Sequence, residues 1–418
     1  MQAPPYFSLG IDFGTSGARA IAIDPHGQIQ AQASLNFVGS TTLASLWQTT
    51  LFDLIAAIPL EVRQQIGAIA INGTSSTVLV CDHNGNPLGE PLLYNDARGA
   101  TQFDQIRAIA PPNHTVLSAT SSLAKLLWWV KAGVSLTPKP YFLHQADWLG
   151  FLLHGQLGVT DYHNALKLGY DVAALEYPDW MESVSSLMQL PRVVAPGTAI
   201  APLTPAIATH LGLSPMCWVY AGTTDSIAAF LASGAQSPGE AVTSLGSTLV
   251  IKLLSNVRVD QARYGIYSHR LGDLWLVGGA SNTGGAVLRQ FFTDDELQHF
   301  SQQINPDNIS PLDYYPLLKP GERFPIHDPD LLPRLEPRPD HPVEFLHGLL
   351  ESIARIEAKG YALLQSLGAT PLKQVYTAGG GAKNEIWSQL RSRHLQVPVV
   401  SSTHTEAAYG TAQLALRS

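Results

Sequence analysis

Residues 9–19, LGIDFGTSGAR, constrain this chain more than any other stretch. The apolar run 7–11 predicts a buried strand that ends on Asp12, Gly-Thr-Ser-Gly predicts a tight turn, and residues 18–23 predict a second strand. Backbone that passes close to a polyphosphate needs small residues, because a Cβ would hold its N–H groups away from the oxygens. Gly14 and Gly17 meet that need, and Thr15 and Ser16 add hydroxyl donors. Asp12 is placed to hold Mg²⁺ through water, since that ion prefers a few carboxylates plus its own hydration shell. Arg19 offers a planar donor to a terminal phosphoryl group. An ordinary β-hairpin with a polar turn has the same local pattern, so on this stretch alone both readings stand open.

A second stretch repeats the arrangement. Residues 242–253, VTSLGSTLVIKL, again run strand, turn, strand, with Gly246, Ser247 and Thr248 at the turn. Two phosphate-sized hairpins, one in each half, suggest a duplicated architecture with a nucleotide held between the halves. A third cluster, with Gly379, Gly380 and Gly381, follows a short strand at 374–377 and precedes a helix starting near Glu385. Strand, glycine turn, helix is the usual layout for backbone laid against a nucleotide. The G-x-G-x-x-G dinucleotide spacing is absent.

Composition narrows the class. A chain of 418 residues suggests two domains or slightly more. Hydrophobic residues at 45% and charged residues at 14% describe a globular protein, neither disordered nor fibrous. A net charge of −8 gives no overall attraction to nucleic acid or to an anionic membrane. Two cysteines, Cys81 and Cys217, are too few for a disulfide framework, and this points to a reducing cytosol. No apolar run is long enough to span a bilayer, and the N-terminus lacks the basic region of a signal peptide.

Between the hairpins, residues 28–37 predict a third strand and residues 42–58 a helix. A buried strand at 66–71 delivers Thr74, Ser75, Ser76 and Thr77 ahead of another strand at 78–81. Small hydroxyl residues at a strand end suit hydrogen bonds to a polyol, and equally suit a turn that bonds its own backbone. Asp96 and Arg98, after an expected strand at 92–94, either bridge sugar hydroxyls or pair with each other. Helices are expected at 122–134 and 146–154, and a hairpin or loop at 155–161. Trp128 and Trp129 are expected in the core. His144, His154 and His163 lack metal-ligand spacing and are expected at surface or structural positions. Asp225 follows a strand at 218–222 and begins a helix; it is either a cap or a general base for a hydroxyl nucleophile. Farther on, strands are expected at 264–270 and 274–278. Residues 306–342 read as a proline-rich surface excursion. A long helix is expected at 343–367, with Gly360 marking a break or close packing. A helix to Leu395, a strand at 397–402 and a final helix at 406–417 complete the chain.

The three turns, in this order, resemble the phosphate and adenosine motifs of the actin-like ATPases, and more narrowly the FGGY family of carbohydrate kinases. Further matches are Tyr94-Asn95-Asp96-Ala97-Arg98, Thr160-Asp161 with Asn164-Ala165, Gly222-Thr223-Thr224-Asp225, Pro320-Gly321-Glu322-Arg323-Phe324-Pro325 and Glu406-Ala407-Ala408-Tyr409-Gly410-Thr411-Ala412. The likeness spans nearly the whole chain. It implies a two-domain α/β actin-like (ribonuclease H-like) fold with mixed sheets flanked by helices and a cleft between the domains. The expected division is 1–222, sugar-binding, and 223–418, nucleotide-binding, with the final helix packing near the hinge.

It also implies an ATP- and Mg²⁺-dependent transfer to the primary hydroxyl of a ketopentose. In that scheme Asp225 is the base and Asp12 the metal residue, both bordering the sugar. Thr15, Ser16 and Arg19 take the transferring phosphate, Gly246, Ser247 and Thr248 the inner ones. Gly379, Gly380, Gly381 and Asn384 border the adenosine, and Ser75, Ser76, Asp96 and Arg98 contact the sugar. Xylulokinases carry a Gln-Met-His-Gly type segment and glycerol kinases an Arg-Glu pair where this chain has Gly73-Thr74-Ser75-Ser76-Thr77-Val78. That run is closer to ribulokinase-like members, and the short length is similar to that of D-ribulose kinases, so D-ribulose is the expected sugar and D-xylulose or another polyol the alternative. An actin-like ATPase without sugar transfer is the other class in view. The expected setting is cytoplasmic, or an organelle stroma after loss of a targeting segment, as a monomer or homodimer with no nucleic-acid or membrane partner.

Overall fold

The computed structural model describes residues 6–38 and 42–416. Strands β1 (Phe7–Phe13), β2 (Gly17–Ile23) and β3 (Ile29–Asn36) form the expected antiparallel meander, with Asp12 opposite Arg19. β4 (Ile66–Gly73) runs parallel to β1. β5 (Val78–Cys81) and β6 (Tyr141–His144) make a separate two-stranded ribbon, and β7 (Val159–Asp161) pairs in parallel with β8 (Arg192–Val194). Of the hairpin or loop expected at 155–161, residues 159–161 are strand, paired in parallel and not in a hairpin. β9 (Ala199–Pro202) and β10 (Trp218–Thr224) complete a six-stranded sheet of order β3-β2-β1-β4-β10-β9.

Two compact units divide the chain. One runs to Ala232 and takes back the segment from Glu406 on; the other is Ser233–Thr405. The boundary expected at 222/223 would cut β10, whose pairing with β4 extends to Thr224. The C-terminal segment belongs with the first unit, not with residues 223–405.

The period of two along β1 explains what each face does. Leu9, Ile11 and Phe13 point into a core with Trp47, Leu51, Leu54 and Ile55 of the Leu43–Ala56 helix, which Thr42 caps. Ser8, Gly10 and Asp12 share the other face. Ser8 Oγ donates to Ala412 O at 2.7 Å, so this face meets the final helix, Ala407–Leu416. The expected end of that helix, Arg417, lies outside the described residues. Its contact with the Asp225–Ala232 helix is so close that a Cβ on Gly410 would lie 1.9 Å from Ala228 O. Gly410→Ala is expected to cost about 1–3 kcal/mol by overpacking and to lower Tm by several degrees; an unchanged Tm would contradict this packing.

The second unit repeats the mixed plan. β11 (Glu240–Leu245), β12 (Leu249–Ser255), β13 (Tyr267–Leu271), β14 (Leu274–Ala280), β15 (Gln374–Ala378) and β16 (Val399–Ser401) order as β13-β14-β12-β11-β15-β16, the last two pairings parallel. The long helix Pro342–Ser366 runs unbroken through Gly360 and buries Leu346, Leu349, Leu350, Ile353, Ile356 and Leu364. Its Glu357 receives two hydrogen bonds from Arg391 of the Glu385–Leu395 helix, at 2.6 and 2.7 Å, with both side chains fully buried. Thr243 of β11 donates to Glu357 and Arg391 donates to Thr377 of β15, so the pair is satisfied on every side and fixes both strands. The proline-rich segment is less superficial than expected. Glu322 and Phe324 are buried, and Glu322 accepts from Ser281 Oγ and Asn282 N at 2.5 and 2.8 Å.

Candidate active site

In the first unit the parallel register lines up Asp12 of β1, Asn72 of β4 and Thr223 of β10. Beyond this row β1 turns through Gly14–Gly17, β4 runs into Thr74–Thr77, and β10 passes Thr224 into Asp225. The carboxyl ends of parallel strands are where open α/β sheets bind ligands, and every candidate of this unit's catalytic set emerges there.

Asp12 is half-buried, and its Oδ1 is buried with no hydrogen-bond partner. Burial, and next the Asp225 carboxylate, push its pKa up to about 6, with Arg19 acting in the opposite direction. Two carboxylates near enough to repel, one with an unpaired buried oxygen, form a donor set suited to a hard divalent cation. Asp225 is also half-buried at the first turn of its helix, where its Oδ1 accepts from Ser226 N at 2.7 Å. A bond from a first-turn helix N–H therefore exists alongside the candidate base.

Thr15 and Ser16 are exposed at the hairpin tip, closed by Gly14 N donating to Gly17 O at 3.0 Å. Arg19, expected at the transferring phosphate, is ion-paired with Glu406, just before the final helix, with side chains 45% and 44% exposed. An exposed pair of this kind contributes little to stability.

The two serines divide. Ser75 is half-buried, whereas Ser76 is 2% exposed, has a positive φ of 64° and has an unpartnered buried Oγ. Ser75 is thus the more accessible hydroxyl. Asp96 and Arg98 pair doubly, Nε to Oδ1 at 3.0 Å and Nη2 to Oδ2 at 2.8 Å, and the guanidinium lies 4.8 Å from the Trp128 ring centre. Trp129 is core; Trp128 is only half-buried. The strand expected at 92–94 reduces to one bridge, Leu92 to Val78, because side chains take its further backbone groups.

His144, His154 and His163 are all buried, so their surface alternative is excluded. His163 Nδ1 meets Thr223 Oγ1 at 2.7 Å, and Asp161 caps the short Tyr162–Ala165 helix that carries it. Among the described residues no group of three His, Cys, Asp or Glu side chains is arranged to hold a metal.

In the second unit Gly246, Ser247 and Thr248 form the β11–β12 turn, and Gly246 O and Ser247 O accept from Gly285 N and Ala286 N at 2.9 and 3.1 Å. The parallel partner β15 ends beside it, with Ala378 opposite Ser244. Gly379 follows with φ 83°, and a Cβ there would lie 2.7 Å from Leu245 O, so only glycine fits this turn. Gly380 and Gly381 begin a short 3₁₀ turn. Asn384 is engaged in structure: its Oδ1 accepts from Trp387 N at 3.0 Å and its Nδ2 donates to Ser301 Oγ at 2.8 Å.

Sequence reasoning missed four contributors. Asn72 is buried and donates to Ile11 O and Thr411 Oγ1 at 3.3 and 2.7 Å, holding the Asp12 strand to the final helix. Glu406 occupies Arg19. The Arg289 guanidinium stands 3.9 Å from the Cβ position of Gly380. Lys125 is buried in the Ser122–Lys131 helix, and its place amid the apolar residues 123–130 was its one visible signal.

A glycine-bearing hairpin in each unit, and two carboxylates at one parallel-strand edge of the first, are features in keeping with an actin-like phosphotransferase. The chain belongs to the FGGY family of carbohydrate kinases: the family's N-terminal domain matches residues 7–232 and its C-terminal domain residues 241–418. As a member it is a sugar kinase, taking a sugar and ATP. It is 24% identical to the xylulose kinase of Bacillus subtilis (strain 168), over 98% of this chain and 87% of that protein. To the gluconokinase of the same organism it is 21% identical, over 94% of this chain and 84% of that protein. The fold is similar to that of the xylulose kinase from Rhodospirillum rubrum, with TM-score 0.83, 21% identity, and 98% and 89% of the two chains covered.

Proposed function

We propose that this protein transfers the γ-phosphoryl group of Mg·ATP to the primary hydroxyl of a ketopentose, D-ribulose first and D-xylulose second. Asp225 accepts the hydroxyl proton as the oxygen attacks phosphorus, and ADP leaves with the electron pair of the broken bond. Thr15, Ser16 and Arg19 serve the transferring phosphate, Gly246, Ser247 and Thr248 the inner phosphates, and Gly379, Gly380, Gly381 and Asn384 the adenosine side. Asp12 would hold Mg²⁺ through water, and the ion, when bound, supplies charge neutralisation at the phosphates. The reading places the reaction in the cytosol, by a monomer or homodimer.

The observation that carries the reading is the common strand edge from which Asp12, Asp225 and the Thr74–Thr77 segment all emerge. D-Ribulose rests on the hydroxyl-rich run at 74–77. The names of the relatives favour D-xylulose and, as a second reading, gluconate. ADP release measured over D-ribulose, D-xylulose, gluconate, glycerol and no sugar tests the choice. A ketopentose is expected to give the highest kcat/KM; gluconate giving the highest would replace the ketopentose, and equal release without sugar would leave an ATPase.

The same assay checks the serines. A site built to bond hydroxyls rejects analogues lacking them by about 10⁴-fold. Ser75→Ala with Ser76→Ala is therefore expected to raise the sugar KM or change the best ketose, with ATP KM nearly unchanged. An unaltered profile would move the sugar contacts elsewhere.

A further inference from the structure

The Ser122–Lys131 helix carries one buried charge with no carboxylate bonded to it. Lys125 is 0% exposed, and its ammonium donates to Ser76 O at 2.7 Å and Leu93 O at 2.6 Å. Burying an ammonium is costly, and carbonyl partners compensate it only in part. Burial lowers its pKa to about 7, against a smaller opposing effect of the nearby Asp96. A hydrocarbon side chain would pack a helix face at less cost, so what the ammonium holds needs a reason.

It holds two segments together. One is the Ser75–Ser76 turn, where Ser76 has left-handed backbone. The other is the stretch from Leu93 to Arg98, which leaves β5 after a single bridge. A second tie lies beside the first: Tyr94 N donates to Thr77 Oγ1 at 3.1 Å. One turn along the same helix, Trp128 lies under the Arg98 guanidinium, which is locked to Asp96. Residues three apart share a helix face, so one face supports both segments.

We propose that Lys125 is a positioning residue for sugar recognition, fixing the Ser75–Ser76 turn against Asp96 and Arg98, with Thr77 and Trp128 completing the brace. This rests on the reading of Ser75, Ser76, Asp96 and Arg98 as sugar contacts. The ammonium touches backbone carbonyls, not substrate, and acts by setting the distance between hydroxyl and carboxylate–guanidinium groups. Small displacements of positioning groups carry large kinetic consequences.

The test uses the full chain and the preferred ketose from the panel. Lys125→Met is expected to raise the sugar KM at least about 10-fold, as for loss of charge-assisted hydrogen bonds, while ATP KM stays within about twofold. Lys125→Arg, which keeps donors and charge, is expected to recover part of the loss. Thr77→Val and Trp128→Leu each raise the sugar KM selectively, and they decide the matter if Lys125→Met does not fold. Wild-type sugar KM in Lys125→Met overturns the brace, as it does in both Thr77→Val and Trp128→Leu. Sugar and ATP KM rising together also overturns it, since general loosening moves both. If Lys125→Met raises the sugar KM while Ser75→Ala with Ser76→Ala changes nothing, the brace acts on other contacts, and its assignment to the Ser75–Ser76 turn is overturned although the kinase reading stands. Wild-type turnover that ignores the sugar overturns brace and kinase reading together.

Discussion

Asp225→Asn is expected to lower kcat by at least about 10²-fold, the lower end of what a positioned base supplies, while nucleotide binding and Tm stay near wild type. Asparagine keeps the size and an acceptor oxygen, so the bond from Ser226 N survives. It cannot take the proton of the attacking hydroxyl. Because phosphoryl transfer has a loose transition state, part of the aspartate's contribution is orientation, which Asn partly retains. The capping alternative leads to the opposite pattern. Asn is as good a helix cap as Asp, so a residue that only capped would leave both kcat and Tm unchanged. Normal kcat in this variant would remove Asp225 as the base; normal Tm with lost kcat would remove capping as the explanation.

Asp12→Asn is expected to abolish Mg²⁺-dependent turnover and, in the free enzyme at neutral pH, to raise stability. The sign follows from the titration. Burial and Asp225 raise the folded-state pKa of Asp12 to about 6 from an ordinary 3.8. A raised acid means the folded protein holds its proton to higher pH than the unfolded chain does. Stability linked to this group is therefore fully present below about pH 4 and is lost as pH rises through about 6. Above that, the ionised carboxylate counts against the fold by up to about 2 kcal/mol, discounted for partial exposure. The variant is expected to melt a few degrees higher than wild type at pH 8, with the difference vanishing near pH 4. Wild-type kcat/KM is expected to fall on the acid side near pH 6. Near-normal activity at ordinary Mg²⁺ would remove the metal role, and a lower Tm at pH 8 would contradict the strain assigned to this carboxylate.

What the sequence disclosed and what it hid divide by distance along the chain. The β1–β2 hairpin, the turns at Gly246 and Gly379 and the helix start at Asp225 were legible because apolar periodicity and glycine placement are local signals. Asn72 bonded to Thr411, and Arg19 paired with Glu406, join residues hundreds of positions apart, and nothing local marks them. The unit boundary was misplaced for a related reason. β10 continues past Gly222, and the final helix returns to the first sheet at Ser8 and to the Asp225–Ala232 helix at Ala228, contacts that only the fold creates. The 92–94 strand failed because Lys125 and Thr77 take its backbone partners, a competition invisible in strand propensity. The burial of Ser76 and its positive φ are equally hidden, since neither shows in a run of small hydroxyl residues at a strand end.

The central claim is phosphoryl transfer from ATP to the primary hydroxyl of a ketopentose. ³¹P NMR of the product, run against ADP formed in the same tube, tests it most directly. The expected result is one phosphate monoester per ADP, with phosphorus coupled to two methylene protons of the sugar. Inorganic phosphate in step with ADP, or phosphorus coupled to a single methine proton, would contradict it.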